Sequence, residues 1–524
     1  MDEDYLLSRK RIFSATFMVV IAILLSKISG LVRDQIMAGY FGITYETDAF
    51  TWAYFIPNLF RILIAESLIV AAFIPIYSAY LKNDRKNDLR IFVNSVINIM
   101  AIVFFVISVV IFIFSPEIGS ILTRIANNQM DVYKFIVMNR IMIFSLVLLS
   151  MSGLATGILN SHNIFTIPSI APFVMNIITI GFVVLLFNRM GIYSMAVGVM
   201  IGSIFHLIIQ IPQLRASPLK YRFRIDFKHK GVREIFSLML PILLSLGAVQ
   251  LNNSVDNFFA LNLGGGNTTA LTLSWRVANL PLGVFTVAIV TVLYPLISRQ
   301  AAGDDIRGIK ESFSLGIRGI GYIMIPAAAG MMILSYPIIR VLFEHYNFTA
   351  GDTRKVAFIL IFHSMGLLFF GLLMILNRVF YAFKNVKTPL KVASISIVVN
   401  LILDWVLIKY MDVSGLALST TLVALCNVVI LIIILRKKIG SFGGRRIFVS
   451  YGKILAAVAV MSTVLYFLWE WLEAYAYQGL WPLILLLLSA IIVSAGIYIA
   501  CTFLFKMEEI KFVVNLFKKF RKNK

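Results

Sequence analysis

Residues 47–59 read TDAFTWAYFIPNL and residues 268–280 read TTALTLSWRVANL; laid in register they share Thr, Ala, Thr, Asn and Leu. The offset is 221 (268 minus 47), and nearly the same shift recurs along the chain. IPIYSAY at 74–80 falls over YPLISRQ at 294–300, Pro168 over Pro389, MGIYSMAVG at 190–198 over MDVSGLALS at 411–419, and Asp34 over Asp256. One match would be chance, but a nearly constant offset across widely spaced patches reads as a duplication.

The repeated material is apolar. Of 524 residues, 60% are hydrophobic and 14% charged, against about 25% charged in soluble domains. Successive apolar runs are long enough to cross the ~30 Å hydrocarbon layer as helices. Their number is about fourteen, from 12–31 at one end to 480–505 at the other. The fold class is therefore an all-α integral membrane protein. An offset of six spans keeps both copies in the same orientation, so the repeats are parallel, related by an axis along the membrane normal. The expected organisation is an N-terminal lobe over 1–220 (spans 1–6), a C-terminal lobe over 221–440 (spans 7–12), and spans 13–14 with a basic tail over 441–524. Folds of this kind hold substrate between the lobes near mid-membrane and alternate access by rocking. Breaks at Pro57, Pro75, Gly283 and Pro295 suit helices that bend or unwind. Gly153-x3-Gly157 and Gly198-x3-Gly202 read as helix-packing contacts.

A net charge of +22 could point to nucleic acid, but its placement argues otherwise. Most of the Lys and Arg fall in the even-numbered connections and the two tails, including Arg9-Lys10-Arg11, KNDRK at 82–86 and KKFRKNK at 518–524. That is the positive-inside pattern with both termini cytoplasmic. No basic and aromatic nucleic-acid module accompanies the charge. The first apolar run has no small-residue cleavage site after it, so it is expected to be a retained span. Cys426 and Cys501 fall in apolar spans, as packed thiols with no disulfide framework. No GxSxG, HExxH, paired-Cys or Walker motif is present, so a transporter is expected in preference to an enzyme. Gly264–Gly266 lacks a phosphate-loop Lys and reads as a turn.

Four cations stand in or beside the spans: Lys27, Arg33, Arg61 and Arg276. Each costs about 2.5–3.5 kcal/mol at a helix centre on insertion scales. Arg33 has Asp34 beside it, but adjacent helical residues point about 100° apart, so this pairing is expected to be imperfect. Glu66 stands five residues from Arg61, and no acidic residue lies within fifteen positions of Arg276. Snorkelling or structural pairing is the plain reading of such charges. The sharper one is an anionic ligand, with phosphate suited to the planar bidentate donors of Arg. A second set is rich in oxygen: Asp256, then Asn400 and Asp404 four apart on one helical face, and Thr420. From three helices these could hold a small hard cation, or form an interhelical hydrogen-bond cluster.

SKISGLVRDQIMAGYFG at 26–42, TDAF at 47–50 and IPNLFRILIAESLIVAAFIPIYSAY at 56–80 closely resemble the opening of the MurJ (MviN) family of bacterial lipid II flippases. That family belongs to the multidrug/oligosaccharidyl-lipid/polysaccharide exporter superfamily. The resemblance implies that Arg33, Arg61 and Arg276 are cations of a central cavity that engages a lipid pyrophosphate, with Lys27 where the family often has Arg. It implies supporting acidic roles for Asp34, Asp48 and Glu66, and a sodium site at Asp256, Asn400, Asp404 and Thr420, with no other cofactor. Ile62 stands where many members carry a second basic residue. Spans 13 and 14 would form a groove for the polyprenyl tail. The implied substrate is lipid II, moved by alternating access across the bacterial cytoplasmic (inner) membrane. Membrane lipids are partners, nucleic acid is not, and cell-wall synthesis machinery is a further partner the family suggests. The alternatives are an exporter of polysaccharide or sporulation type, a cation-coupled drug antiporter, and a membrane scaffold.

Overall fold

The computed structural model describes residues 3–62, 69, 72–82, 86–127, 130–215 and 221–510. Among these the regular secondary structure is helical throughout, as a lipid-embedded backbone requires, since a helix satisfies its own N–H and C=O groups. Ten described helices are long and apolar enough to cross a membrane, or eleven if the bent pair Ala350–Met365 and Leu367–Ala382, angled at 43°, is one span. This is a multi-pass membrane protein. The second expected span changes helix type along its described residues. Its first part, Tyr45–Phe60, starts on a Thr44 capping box and contains Pro57. Arg61 and Ile62 are in π geometry, as are Ile69, Ala72 and Phe73 among the described residues that follow, and Ile74–Lys82 is α-helical. Its counterpart by the 221-residue offset is one helical span, Asn267–Ala302, that passes from α-helix into a π turn over Leu282–Thr286 just after Pro281. A π turn often marks a functional position in a helix, and here the duplication carries one in each copy.

The chain divides into two compact units: Met1–Leu251 with Gly264–Thr269 and His345–Asn347, and Asn252–Leu263 with Ala270–Glu344 and Phe348–Lys524. In the first, Phe73, Tyr77, Phe92, Val96, Leu146 and Ile158 form a core joining helices Ile74–Lys82, Lys86–Ile113 and Ser145–Ser161. Gly198 and Gly202 let helix Tyr193–Ile208 lie against helix Thr166–Met190. A Cβ at these positions would stand 3.0 Å from the Thr179 carbonyl oxygen and 2.8 Å from that of Met175. The small-xxx-small reading of this pair holds.

In the second unit, helices Gly444–Ala476 and Leu480–Leu504 pack on helix Ile306–Ile333 through Tyr322, Ile454, Met461 and Tyr498. Both ends of the pair are pinned. At one, Arg318 Nη1 donates to Glu509 Oε1 at 2.7 Å, and Ser450 Oγ donates to the same oxygen at 2.9 Å. At the other, the Arg340 guanidinium sits 4.3 Å above the Tyr477 ring. Cys501 is buried as expected, but Cys426 is exposed. The correction has a simple cause: in a span, an apolar surface position can face lipid at no cost, so an apolar context does not imply packing.

Candidate functional site

The helix Glu3–Phe41 carries Lys27, Arg33 and Asp34. Lys27 is exposed, Arg33 half-buried and Asp34 buried. Against the sequence expectation, the Arg33–Asp34 pair closes: Nη2 and Nε of Arg33 lie 3.0 Å and 3.3 Å from Asp34 Oδ1. The guanidinium stem is long enough to fold back across the 100° between neighbouring side chains. The remaining arm is used as well. Arg33 Nη1 donates to Asn176 Oδ1 at 3.2 Å, and Asn176 Nδ2 donates to Ser29 Oγ at 3.1 Å and to the Ser26 carbonyl at 3.3 Å. Asn176, on helix Thr166–Met190, thus orients the guanidinium from a second helix. A guanidinium held from two sides keeps a defined plane, which suits bidentate recognition of a tetrahedral anion.

Arg61 is the C-cap of helix Tyr45–Phe60, half-buried, with Nε donating to Asn58 Oδ1 at 3.0 Å. It stands where the helix widens into its π turn. Arg276 belongs to the second unit, half-buried on helix Asn267–Pro281. Glu66 lies outside the described residues. Asp48 is fully buried, and its carboxylate accepts hydrogen bonds from Gly266 N at 2.7 Å, Thr269 N at 2.9 Å and Thr269 Oγ1 at 2.8 Å. These donors lie where helix Asn267–Pro281 begins, so Asp48 acts as a helix N-cap supplied from elsewhere in the chain. Gly266, at φ +78°, allows the approach: a Cβ there would lie 2.3 Å from the Ile43 carbonyl oxygen. The triple-glycine turn is therefore the seat of a buried carboxylate.

The oxygen-rich set assembles as its spacing suggested. Asn400 Nδ2 donates to Asp256 Oδ1 at 2.8 Å and to Asp404 Oδ2 at 2.5 Å, and Thr420 Oγ1 donates to Asp256 Oδ2 at 2.6 Å. Asn400 and Asp404 are fully buried. Helices Lys230–Asn262, Lys387–Met411 and Val413–Ile439 contribute one or two groups each. Two buried carboxylates flank a single neutral amide, so their charge is poorly offset by the groups around them. Two oxygens, Asn400 Oδ1 and Asp404 Oδ1, are buried without a hydrogen-bond partner. Buried acceptors are normally satisfied, and unused oxygens beside two carboxylates are what a hard cation would take. The donor set thus fits a small hard cation. Among the described residues, no group of three or more His, Cys, Asp and Glu is arranged to hold a metal, so this set owes its suitability to the Asn and Thr oxygens.

Sequence reasoning missed Asn176, Ser29 and the seat of Asp48. Asn176 has no local signal, being 143 residues from Arg33. The Gly264–Gly266 run reads as a turn, and nothing local to it names Asp48, 218 residues from Gly266, as its partner.

With this geometry in place, comparison with known proteins is direct. The family described as "Lipid II flippase MurJ" matches residues 37–487. A probable lipid II flippase MurJ from Haemophilus influenzae is 28% identical over 493 residues, covering 90% of this chain and 96% of that protein. The lipid II flippase MurJ of Burkholderia cenocepacia is 28% identical over 423 residues, covering 79% and 82%. Among solved structures, a lipid II flippase MurJ in an inward closed conformation superposes with a TM-score of 0.78 at 26% identity, covering 94% of this chain and 100% of that one. An inward-facing multidrug resistance transporter of the MATE family and MOP superfamily reaches a TM-score of 0.67 at 13% identity, over 82% of this chain and 99% of its own, a likeness of fold alone.

Proposed function

This chain belongs to the MurJ family, and from that premise we propose that it moves lipid II from the cytoplasmic to the outer leaflet of the bacterial inner membrane, with both termini in the cytoplasm. The observation that carries the reading is the family match across residues 37–487; the held guanidinium of Arg33 supplies its chemistry. Arg33, Arg61 and Arg276 engage the pyrophosphate, and Lys27 adds positive charge nearby. Asp34 and Asn176 position Arg33. Bidentate donors suit a pyrophosphate, and a guanidinium stays charged away from water. The head group crosses as lobes 1–220 and 221–440 rock, while the prenyl tail stays in lipid beside spans 13–14 of segment 441–524. No covalent bond changes, so the protein is a transporter and has no catalytic residues.

Sodium is the proposed coupling ion, held by Asp256, Asn400, Asp404 and Thr420. Bound there, it offsets the carboxylates and takes up the unused oxygens of Asn400 and Asp404. Ion binding then favours one arrangement of these helices over another by its difference in affinity for the two.

Complementation of cells depleted of their own lipid II flippase tests the reading. The parent protein restores growth, and a triple variant with Ala at 33, 61 and 276 does not, at equal membrane abundance by immunoblot. Full growth with the triple variant would overturn the cationic site and leave a scaffold. Failure of the parent itself would overturn the substrate.

A further inference from the structure

The connection YRFRIDFKHK at 221–230 has a definite seat: 221–226 is without helix, 227–229 turns, and Lys230 opens the next helix. Its backbone is pinned along one face of helix Lys86–Ile113. Arg222 N donates to Asn94 Oδ1 at 3.2 Å, Asp226 N donates to Ser95 Oγ at 3.1 Å, and Asn98 Nδ2 donates to the Arg224 carbonyl at 3.0 Å. Asn94 and Asn98 are four apart and share a helical face. Even-numbered residues of the strap meet them, as a period of two along an extended chain requires. The Tyr221 hydroxyl adds a bond to Asn98 Oδ1 at 2.7 Å.

The strap presents a mixed outer surface. Phe223 is 73% exposed and Phe227 62% exposed, while Arg222, Arg224, Lys228 and Lys230 are exposed among them. Over 221–234 five basic residues (Arg222, Arg224, Lys228, Lys230, Arg233) stand against two acidic ones (Asp226, Glu234), a net of +3 by subtraction. Asp226 is turned back into its own loop, accepting from Lys228 N at 2.9 Å and His229 N at 3.1 Å. The depth of the strap also matters. A helix of 28 residues is about 42 Å long, longer than the ~30 Å hydrocarbon core. From Ile99 to Ile113 its sequence is apolar but for Ser108. Asn94, Ser95 and Asn98 lie on the N-terminal side of that run, and the strap itself follows shortly after the span Tyr193–Leu214.

We propose that the 221–230 strap is a lipid-surface anchor: Phe223 and Phe227 enter the interfacial zone while Arg222, Arg224, Lys228 and Lys230 engage anionic phospholipid head groups of the cytoplasmic leaflet. Exposed aromatic rings belong at that depth, and interleaved cations attract an anionic leaflet while their stems lie along it. The occupant is set by position and charge: the segment lies at the margin of a membrane span and carries the sign that complements such a leaflet. The inference rests on the topology proposed above, in which this connection faces the cytoplasm.

The test uses the full chain with Cys426→Ser and Cys501→Ser, a spin label on Phe223→Cys, and two vesicle compositions: phosphatidylcholine alone, and phosphatidylcholine with phosphatidylglycerol. Collision with oxygen reports lipid, and collision with a nickel chelate reports water. On adding phosphatidylglycerol, nickel access falls and oxygen access rises. Replacing Arg222, Arg224, Lys228 and Lys230 with Gln abolishes that difference. A label that stays in water in both membranes, as it would if the surface served a soluble protein, overturns the proposal. So does equal immersion in both, which would remove the anionic lipid from it. An impermeant thiol reagent applied to intact cells checks the side independently: reaction of Phe223→Cys from outside would sink the topology, whatever the vesicles show.

Discussion

The arginine cluster around Arg33 and the carboxylate cluster around Asp256 both bury charge in a membrane protein, yet they solve the problem in opposite ways. Arg33 is half-buried, and each arm of its guanidinium already has a neighbour: Asp34 on its own helix and Asn176 on another. Asp256 and Asp404 are buried around one amide, and the set leaves two oxygens with no hydrogen bond. The first site pairs its cation with an anion and an amide from two helices. The second is closed and short of positive charge, as suits a small ion. The difference teaches that partners already in place, more than the amount of buried charge, distinguish the two clusters: one charge is matched within the protein, and the other set keeps unsatisfied oxygens.

Removing Arg33 should break the comparison most severely. Arg33→Ala is expected to abolish growth of flippase-depleted cells, while Arg33→Lys should restore it only in part. An ammonium is a point charge and cannot hold Asp34 and Asn176 together in one plane. Growth equal to the parent's with Arg33→Lys, at matched abundance, would show that charge alone suffices and that the positioning by Asn176 is incidental.

The carboxylate site makes a middle-sized prediction. Sodium that binds only the folded protein should stabilise it by about 2.7 kcal/mol at a hundred times its Kd. Thermal unfolding in sodium against choline measures this, and Asp404→Asn should lose most of the shift while still folding. Equal shifts in the two proteins, or none in the parent, would leave an interhelical hydrogen-bond cluster in place of an ion site.

The smallest effect is expected at Lys27, whose side chain is exposed. Lys27→Ala should change stability by no more than about 0.5 kcal/mol and reduce growth far less than Arg33→Ala. A defect as deep as that of Arg33→Ala would draw Lys27 into the arginine site and enlarge it by nearly two turns of helix.

Much of this was legible in sequence because it depends on spacing. The four-residue step from Asn400 to Asp404 put both on one helical face, and the structure joins them through 2.5 Å. Gly198-x3-Gly202 announced a close helix contact for the same reason. The Arg33–Asp34 pair was misjudged because the 100° rule describes Cβ directions, whereas the guanidinium lies several bonds beyond them. Asn176, and the seating of Asp48 on Gly266 and Thr269, had no signal of that kind. Their partners are far away in the chain, and nothing local to either end requires the other.

Two things followed from the sequence by itself: an all-helical membrane protein, and a duplication that repeats its second span near residue 268. The first follows from the cost of exposing backbone polar groups to lipid, which acts on every residue along the chain, and the second from a near-constant offset between matching residues. Which oxygens stay unsatisfied, which arm of Arg33 meets Asn176, and where the 221–230 strap lies were decided only by tertiary packing. Those outcomes depend on the approach of side chains from distant helices, to within a few tenths of an ångström, and no periodicity encodes such distances.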